Sequence, residues 1–171
     1  MKILGSVMVM IACGGLGIDA AFRLKKRLCI LEKLKQMVTH LNGEILYANA
    51  PLPEAFERVG NRNPGKAGDL FKSVASDLKK ETGERFDQIW SGQVGKFSKE
   101  SVLSRKEREQ LIVFGEHLGY LDRDMQEKTI RFYLENLEYS IQCLRMQETE
   151  KCRLFVSLGI LSGLFLTVVM V

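Results

Sequence analysis

The stretch LKKRLCILEKLKQMVTHLNGEILYA, residues 24–48, sets the fold class of this chain. Its apolar side chains recur every three or four residues, which is the spacing of one face of an α-helix. They are Leu24, Leu28, Leu31, Leu34, Val38, Leu41 and Ile45. The stretch therefore predicts one long amphipathic helix, which the prolines of APLP, residues 50–53, bring to an end.

The strong periodic patterns between residues 49 and 153 are helical as well. We expect a short helix near 54–59, a loop over GNRNPGKAG (60–68) and a helix capped by Asp69. A further helix is expected over 85–97. The capping box Ser104–Glu107 opens the next helix, Gly119 closes it, and Asp122 caps the last helix. The inward stripe of that last helix is Ile130, Tyr133 or Leu134, Leu137, Ile141 and Leu144. These signals predict an all-α bundle whose first and last helices are long.

Both ends of the chain are free of charge, over residues 3–18 and 154–171. A helix of about 18 apolar residues spans roughly 27 Å, close to the hydrocarbon core of about 30 Å. We therefore expect transmembrane helices over 3–22 and 154–171, on either side of a helical-bundle domain over 23–153. A cleaved signal peptide, or a lipoprotein site at MIAC (10–13), is the alternative for the first of them.

Positive charge next to these two apolar runs predicts on which side of the membrane the domain 23–153 lies. RLKKR (23–27) follows the first run, and Lys151 and Arg153 precede the second. Such residues favour the cytoplasmic side, so the domain is expected to be cytoplasmic and the protein to lie in the cell membrane. RLKKR is also expected to contact anionic lipid.

Small residues mark one face of each predicted membrane helix. Gly159 and Gly163 form a GxxxG pattern, and Gly17 and Ala21 form a similar small face on the first helix. Such faces let helices approach closely, so these four residues are candidates for membrane helix packing.

The sequence contains no constellation that indicates an enzyme or a cofactor. The four cysteines include no CxxC, and His40 and His117 are isolated, so no metal site is expected. The net charge of +4, without a basic-aromatic groove pattern, argues against nucleic-acid binding. The basic residues Lys79, Lys80, Arg105, Lys106 and Arg108 are candidates for binding an acidic partner, and the alternative is that they only solvate helix faces.

Several segments together resemble a known family. These are EILYANAPLPEAF (44–56), Leu70–Phe71, Trp90, FGEHLGYLDRDMQ (114–126) and the apolar ends. Together they resemble the stage III sporulation protein AB family of endospore-forming bacteria, along the whole chain. That family is similar, in its helical domain, to the platform protein of type II secretion and type IV pilus systems.

The resemblance implies a non-enzymatic platform in the channel complex between mother cell and forespore, held in the mother-cell membrane that faces the forespore. It implies partners in the secretion-type ATPase, stage III sporulation protein AA, and in other channel proteins. The family pattern FGxxLGxxDxxxQ falls on Gly115, Gly119, Asp122 and Gln126. The last three either form an exposed corner that a partner binds or are needed for folding alone. The other hypotheses are a dimeric membrane scaffold without an ATPase partner, with a homodimer through the long helices, and a lipoprotein with an external domain.

Overall fold

The chain is all-helical in its described backbone. The structure, a computed structural model, describes the backbone of residues 2–80, 83–119 and 122–170, and the side chains of 22–80, 83–119, 122 and 124–148. Six helices follow one another: α1 Lys2–Leu46, α2 Leu52–Arg62, α3 Lys66–Lys79, α4 Phe86–Glu100, α5 Arg105–Leu118 and α6 Arg123–Met170. No strand occurs in these described ranges, and the predicted all-α class is confirmed.

The chain divides into two compact units, one of residues 29–141 and the other of residues 1–28 and 142–171. The predicted boundaries at 22/23 and 153/154 stay a prediction. Apart from Phe22, the side chains of the predicted spans 3–22 and 154–171 lie outside the described residues, as do Gly17, Ala21, Gly159 and Gly163. Among the residues that the structure describes, no helix has the length and apolar character needed to cross a membrane.

An aromatic cluster forms the centre of the unit 29–141. The Trp90 ring lies 5.6 Å from that of Phe56, 6.0 Å from that of Phe71 and 5.8 Å from that of Phe114, measured between centroids. The Phe114 ring in turn stacks on Tyr133 at 4.6 Å. Because these residues come from α2, α3, α4, α5 and α6, one continuous core holds the five helices together.

Close packing of Trp90 on α5 explains why residue 115 is a glycine. The indole Nε1 of Trp90 donates a hydrogen bond of 2.7 Å to the carbonyl oxygen of Leu111. A Cβ atom on Gly115 would lie only 2.0 Å from Trp90 Cδ1, so no larger side chain fits there without movement. Gly115 thus lets the largest buried ring of the unit lie directly on the backbone of α5.

The first helix contributes most of its predicted inward stripe; Leu28 differs from the prediction and is half-buried. Within the unit, Leu31, Leu34, Val38, Leu41 and Ile45 are all buried. Two sets of ion pairs then join α1 to its neighbours.

Lys35 on α1 pairs with Glu138 on α6. The buried Glu44 carboxylate accepts hydrogen bonds from Arg58 (3.1 Å) and Arg62 (3.0 Å) of α2. A buried carboxylate needs such partners, so Glu44 fixes how α2 lies against α1.

The start of α5 confirms one local prediction. Ser104 Oγ accepts from the amide of Glu107 at 3.3 Å, and Glu107 Oε2 accepts from the amide of Ser104 at 2.7 Å. This is the predicted capping box.

The start of α3 differs from the prediction. The helix begins at Lys66, and the amide of Asp69 already donates to the carbonyl oxygen of Gly65 at 2.9 Å. Asp69 therefore lies in the first turn and is not the cap. Its carboxylate still suits that position, because the helix dipole favours negative charge in the first turn.

The loop predicted over residues 60–68 is also shorter than expected. Helix α2 continues to Arg62 and leaves only residues 63–65 between the two helices. The buried Asn63 side chain donates to the carbonyl oxygen of Val59 at 2.8 Å, which satisfies a free acceptor at the end of α2.

Candidate docking surface

Contacts between helix ends show how the unit 29–141 is arranged along its length. Lys66, at the start of α3, donates to the carbonyl oxygen of Glu100, at the end of α4, at 2.8 Å. A Cβ on Gly119, just after α5, would lie 2.9 Å from the ring of Phe86, at the start of α4. Helices α3, α4 and α5 therefore alternate in direction, and Gly119 and Asp122 lie at the same end as Lys80 and Arg85. We call this end the turn end.

The opposite end is where the chain enters and leaves the unit. Lys106, near the start of α5, and Asn136 on α6 line the same groove. Lys35 and Glu138, which are ion-paired, lie six and three residues from the unit limits at Cys29 and Ile141. Residues 29 and 141 therefore lie at the end away from Gly119 and Asp122. We call this the exit end.

Two of the predicted basic residues, Lys79 and Lys80, lie at the turn end. Lys79 Nζ lies 2.6 Å from Glu57 Oε2, and Lys80 Nζ lies 2.7 Å from Asp77 Oδ1. The hydrogen bond from Lys80, followed by that from Gln93, lowers the pKa of the Asp77 carboxyl. Both lysines stay exposed, so each remains accessible although it is paired within the domain.

The other three basic residues lie toward the exit end and do not form one patch. Arg105 donates to Glu109 at 2.8 Å, and this carboxylate raises the pKa of the Arg105 guanidinium. Lys106 and Arg108 are exposed, and neither is ion-paired in the part of the chain that the structure describes. At about 100° per residue they point in directions about 160° apart around α5. A single partner surface cannot contact both side by side.

The corner residues taken from the family pattern lie together at the turn end. Asp122 Oδ1 accepts from the amide of Met125 at 3.0 Å and caps α6, as predicted. Gln126 Nε2 donates to the carbonyl oxygen of Leu118 at 3.1 Å, which satisfies an acceptor at the end of α5. Each of these side chains thus has a structural task at the corner.

Gly119 is the predicted C-terminal cap of α5, but the reason for a glycine differs from the expected one. Its φ of −75° is ordinary helical backbone, which any residue can adopt. The constraint is the approach to Phe86, since a Cβ would come within 2.9 Å of that ring. Gly119 therefore serves the packing of α5 on α4 rather than a left-handed turn.

A groove of about 380 Å³ runs between α5 and α6. Its apolar wall is formed by Val113 and Phe114 from α5 and by Phe132 and Tyr133 from α6. Burial raises the pKa of the Tyr133 phenol, and the charge of the Glu107 carboxylate raises it further. The phenol therefore stays neutral in the folded domain. Sequence patterns did not predict this groove, because it forms between two helices.

Beside the groove, α6 exposes a row of large apolar residues that the sequence analysis missed. Met125, Phe132 and Tyr139 are 46%, 69% and 65% exposed. We call these three residues the outer row. Their seven-residue spacing in the sequence could have predicted this row, because it places the three residues on one face of a helix, apart from the inward stripe.

The described side chains offer little for metal chemistry. No three His, Cys, Asp or Glu residues among them are close enough together to hold a metal ion. Of the cysteines that the structure describes, Cys29 is exposed and Cys143 is half-buried, and both are free thiols. His117 lies on the wall of the groove and is exposed.

Comparison with known proteins identifies the family. The family model described as stage III sporulation protein AB matches residues 2–171. The chain belongs to the stage III sporulation protein AB family. A stage III sporulation protein AB of Bacillus subtilis (strain 168) is 28% identical over 166 residues, which cover 97% of this chain and 96% of that relative.

The fold of the family is shared as well. A solved structure of stage III sporulation protein AB (SpoIIIAB) matches this chain with a TM-score of 0.68 at 26% identity. The match covers 73% of this chain and 98% of that structure. The resemblance drawn from the sequence is confirmed, and with it a role in sporulation.

Proposed function

We propose that this chain is a non-enzymatic membrane platform of the sporulation channel between mother cell and forespore. In this proposal it is held in the mother-cell membrane by the apolar runs 3–22 and 154–171. Its turn end docks the cytoplasmic secretion-type ATPase, stage III sporulation protein AA. Other channel proteins bind through its remaining surfaces or its membrane helices.

One observation carries the docking part of the proposal. Two candidate sets, the basic pair Lys79–Lys80 and the corner of Gly119, Asp122 and Gln126, lie at the same end of the unit 29–141. That end is opposite to residues 29 and 141, where α1 and α6 leave the unit. If the apolar runs are in the membrane, the turn end is the part of the unit that a cytoplasmic protein reaches most easily.

The ion pairs at the turn end do not prevent docking. The Lys79–Glu57 and Lys80–Asp77 pairs are partly exposed, with both lysine side chains more than 40% accessible. Exposed pairs of this kind contribute about 0–1 kcal/mol, so an acidic partner can exchange them at small cost. The lysines can therefore turn from their internal carboxylates to those of a partner.

The test compares the two ends of the unit. The full chain in lipid nanodiscs is titrated with the purified ATPase, and binding is followed by interferometry. Lys79→Glu with Lys80→Glu is expected to raise Kd at least tenfold. Arg105→Glu with Lys106→Glu changes the charge by the same amount at the exit end and is expected to leave Kd within about twofold. Circular dichroism checks that both variants keep their helices.

Two results would reject this proposal. The natural chain could show no saturable binding at high micromolar ATPase, or the exit-end variant could weaken binding as much as the turn-end variant. Absence of binding would favour the second candidate, a membrane scaffold without an ATPase partner. The observation that favours the scaffold is the outer row of α6, because an exposed apolar row indicates a protein interface.

A further inference from the structure

We propose that two copies of this chain pair side by side, in the same direction, through the outer row of α6. The occupant of this surface is a second α6. The inference does not depend on ATPase docking, since it uses a different surface of the unit.

The spacing of the outer row matches a second helix. Met125, Phe132 and Tyr139 follow each other at seven residues and are all substantially exposed. Seven residues fall about 20° short of two full turns, so the row is nearly straight and a slight left-handed supercoil keeps it facing a partner. The same spacing continues along α6 to Met146, which is 62% exposed.

A second row completes the heptad pattern. Thr129 and Asn136 lie four residues after Met125 and Phe132, and both are half-buried beside the groove. Alternation of four and three residues is the pattern of two helices that pack with knobs in holes. The outer row takes the d positions of this pattern, and Thr129 and Asn136 take the a positions.

The position of Asn136 indicates that the helix packed against the outer row is a second α6. In a parallel pair each a position meets its own copy, so Asn136 of one chain faces Asn136 of the other. Its Nδ2 donates to the carbonyl oxygen of Phe132 at 3.0 Å, and an amide has a second hydrogen and an acceptor oxygen for its counterpart. An asparagine at an a position favours two strands, parallel direction and one register, at some cost in stability.

The charges beside the seam fit a parallel pair. Lys128 and Glu135 flank one side of the row, and Gln126 and Ser140 flank the other. With the a positions aligned, Lys128 lies beside the buried, uncharged Tyr133 of the second copy, and Glu135 lies beside Ser140 of that copy. Neither of these pairs brings like charges together. The groove of about 380 Å³ next to Phe132 leaves room for side chains of the second copy.

The parallel direction also agrees with the course of α6. The helix continues from this row to Met170, through the apolar run 154–171. If that run is in the membrane, two copies in one membrane present α6 in the same direction. The interface spans only a few heptads, so it is weak in dilute solution and is strengthened when both copies share a membrane.

Disulfide trapping in membranes tests the direction and the register together. The full chain, with its four natural cysteines replaced by serine, carries Asn136→Cys and is oxidised with copper phenanthroline in its membrane. We expect a disulfide-linked dimer in most of the protein. Arg131→Cys in the same background is exposed but about 100° away from Phe132 around the helix, and it is expected to crosslink at least fivefold less.

Natural Cys143 serves as a second reporter, because it lies seven residues after Asn136 on the same helix. A chain that keeps only this cysteine is expected to crosslink as well. Adding Phe132→Glu to either reporter should reduce the dimer at least fivefold, because it buries a carboxylate in the seam.

Three outcomes would overturn the inference. Equal crosslinking at Arg131→Cys would mean random collision, and no dimer at either reporter would mean that the row binds something else. Crosslinking only in a mixture of Asn136→Cys with Met125→Cys would mean an antiparallel pair. The dimer and ATPase docking can fail independently. The double variant Lys79→Glu with Lys80→Glu should still form the disulfide-linked dimer, and Phe132→Glu should still bind the ATPase.

Discussion

The two faces of α6 carry apolar side chains of similar size in very different surroundings. The inward face has Ile130, Leu137 and Ile141, none more than 2% exposed, spaced seven and then four residues apart. The outer row has Phe132 and Tyr139, each more than 60% exposed and seven residues apart. The fold of the unit explains the inward face. It leaves most of the Phe132 and Tyr139 side chains exposed, and the proposed second copy of α6 would cover them.

The largest expected effect is a difference in the free energy of unfolding between substitutions on the two faces of α6. Ile130→Ala removes a fully buried side chain and is expected to lower the free energy of unfolding by about 2–5 kcal/mol. Phe132→Ala removes a larger but mostly exposed side chain and should change it by less than about 1 kcal/mol. Denaturant unfolding of the full chain in detergent, followed by Trp90 fluorescence, measures both. Equal losses would mean that Phe132 belongs to the core.

The next effect concerns close packing at the centre of the unit. Gly115→Ala places a Cβ within 2.0 Å of Trp90 and is expected to cost about 1–3 kcal/mol of stability, because the indole must move. Gly92→Ala in α4 is the matched control, since nothing lies within 4 Å of its new Cβ. It should stabilise the protein by about 0.5–1 kcal/mol, as alanine does in exposed helix positions. Thermal unfolding distinguishes a loss from a gain.

At alkaline pH, the buried Tyr133 on α6 should change the free energy of unfolding by a similar amount. The pKa of Tyr133 is raised by burial in the folded state, so above about pH 10 the unfolded chain loses the phenol proton first. The contribution of this group is complete below about pH 10 and is lost above it, by up to about 1.4 kcal/mol per pH unit. Tyr133→Phe should remove that part of the pH dependence. Parallel stability curves of both proteins from pH 9 to pH 11 would contradict the assignment.

The smallest effect is expected at the corner between α5 and α6. Asp122→Ala removes the cap on Met125 and should cost about 1 kcal/mol, whereas Asp122→Asn keeps a capping oxygen and should cost only a few tenths. If Asp122 also binds a partner through its charge, both variants should weaken ATPase binding alike. Unfolding and binding measured on the same two variants separate these roles. Equal stability losses would show that the charge, and not the cap, stabilises the corner.

Local patterns predicted much of this fold. The stripe of α1, the capping box at Ser104 and the cap at Asp122 are visible in sequence because each depends on neighbours within a few residues. The family motifs led to the correct family for the same reason. The start of α3 was misplaced because the polar run 60–68 resembles a loop, although only residues 63–65 separate the helices.

Features that depend on two distant segments could not be predicted. The need for glycine at 115 and 119 comes from Trp90 and Phe86, which lie more than twenty residues away in sequence. The separation of the basic residues between two ends of the unit follows from the alternating directions of α3, α4 and α5. The outer row could have been found, since its seven-residue spacing lies within one helix.

Spore yield tests whether the outer row of α6 serves a partner rather than the fold. The natural copy in the spore-forming host is replaced by Phe132→Glu or, as a control, by Arg131→Glu, and the protein levels are compared. If the row binds a partner, both variants should reach normal levels, with at least a tenfold fall in spore yield for Phe132→Glu and little change for Arg131→Glu. Normal spore yield with Phe132→Glu at normal protein level would contradict partner binding by the row.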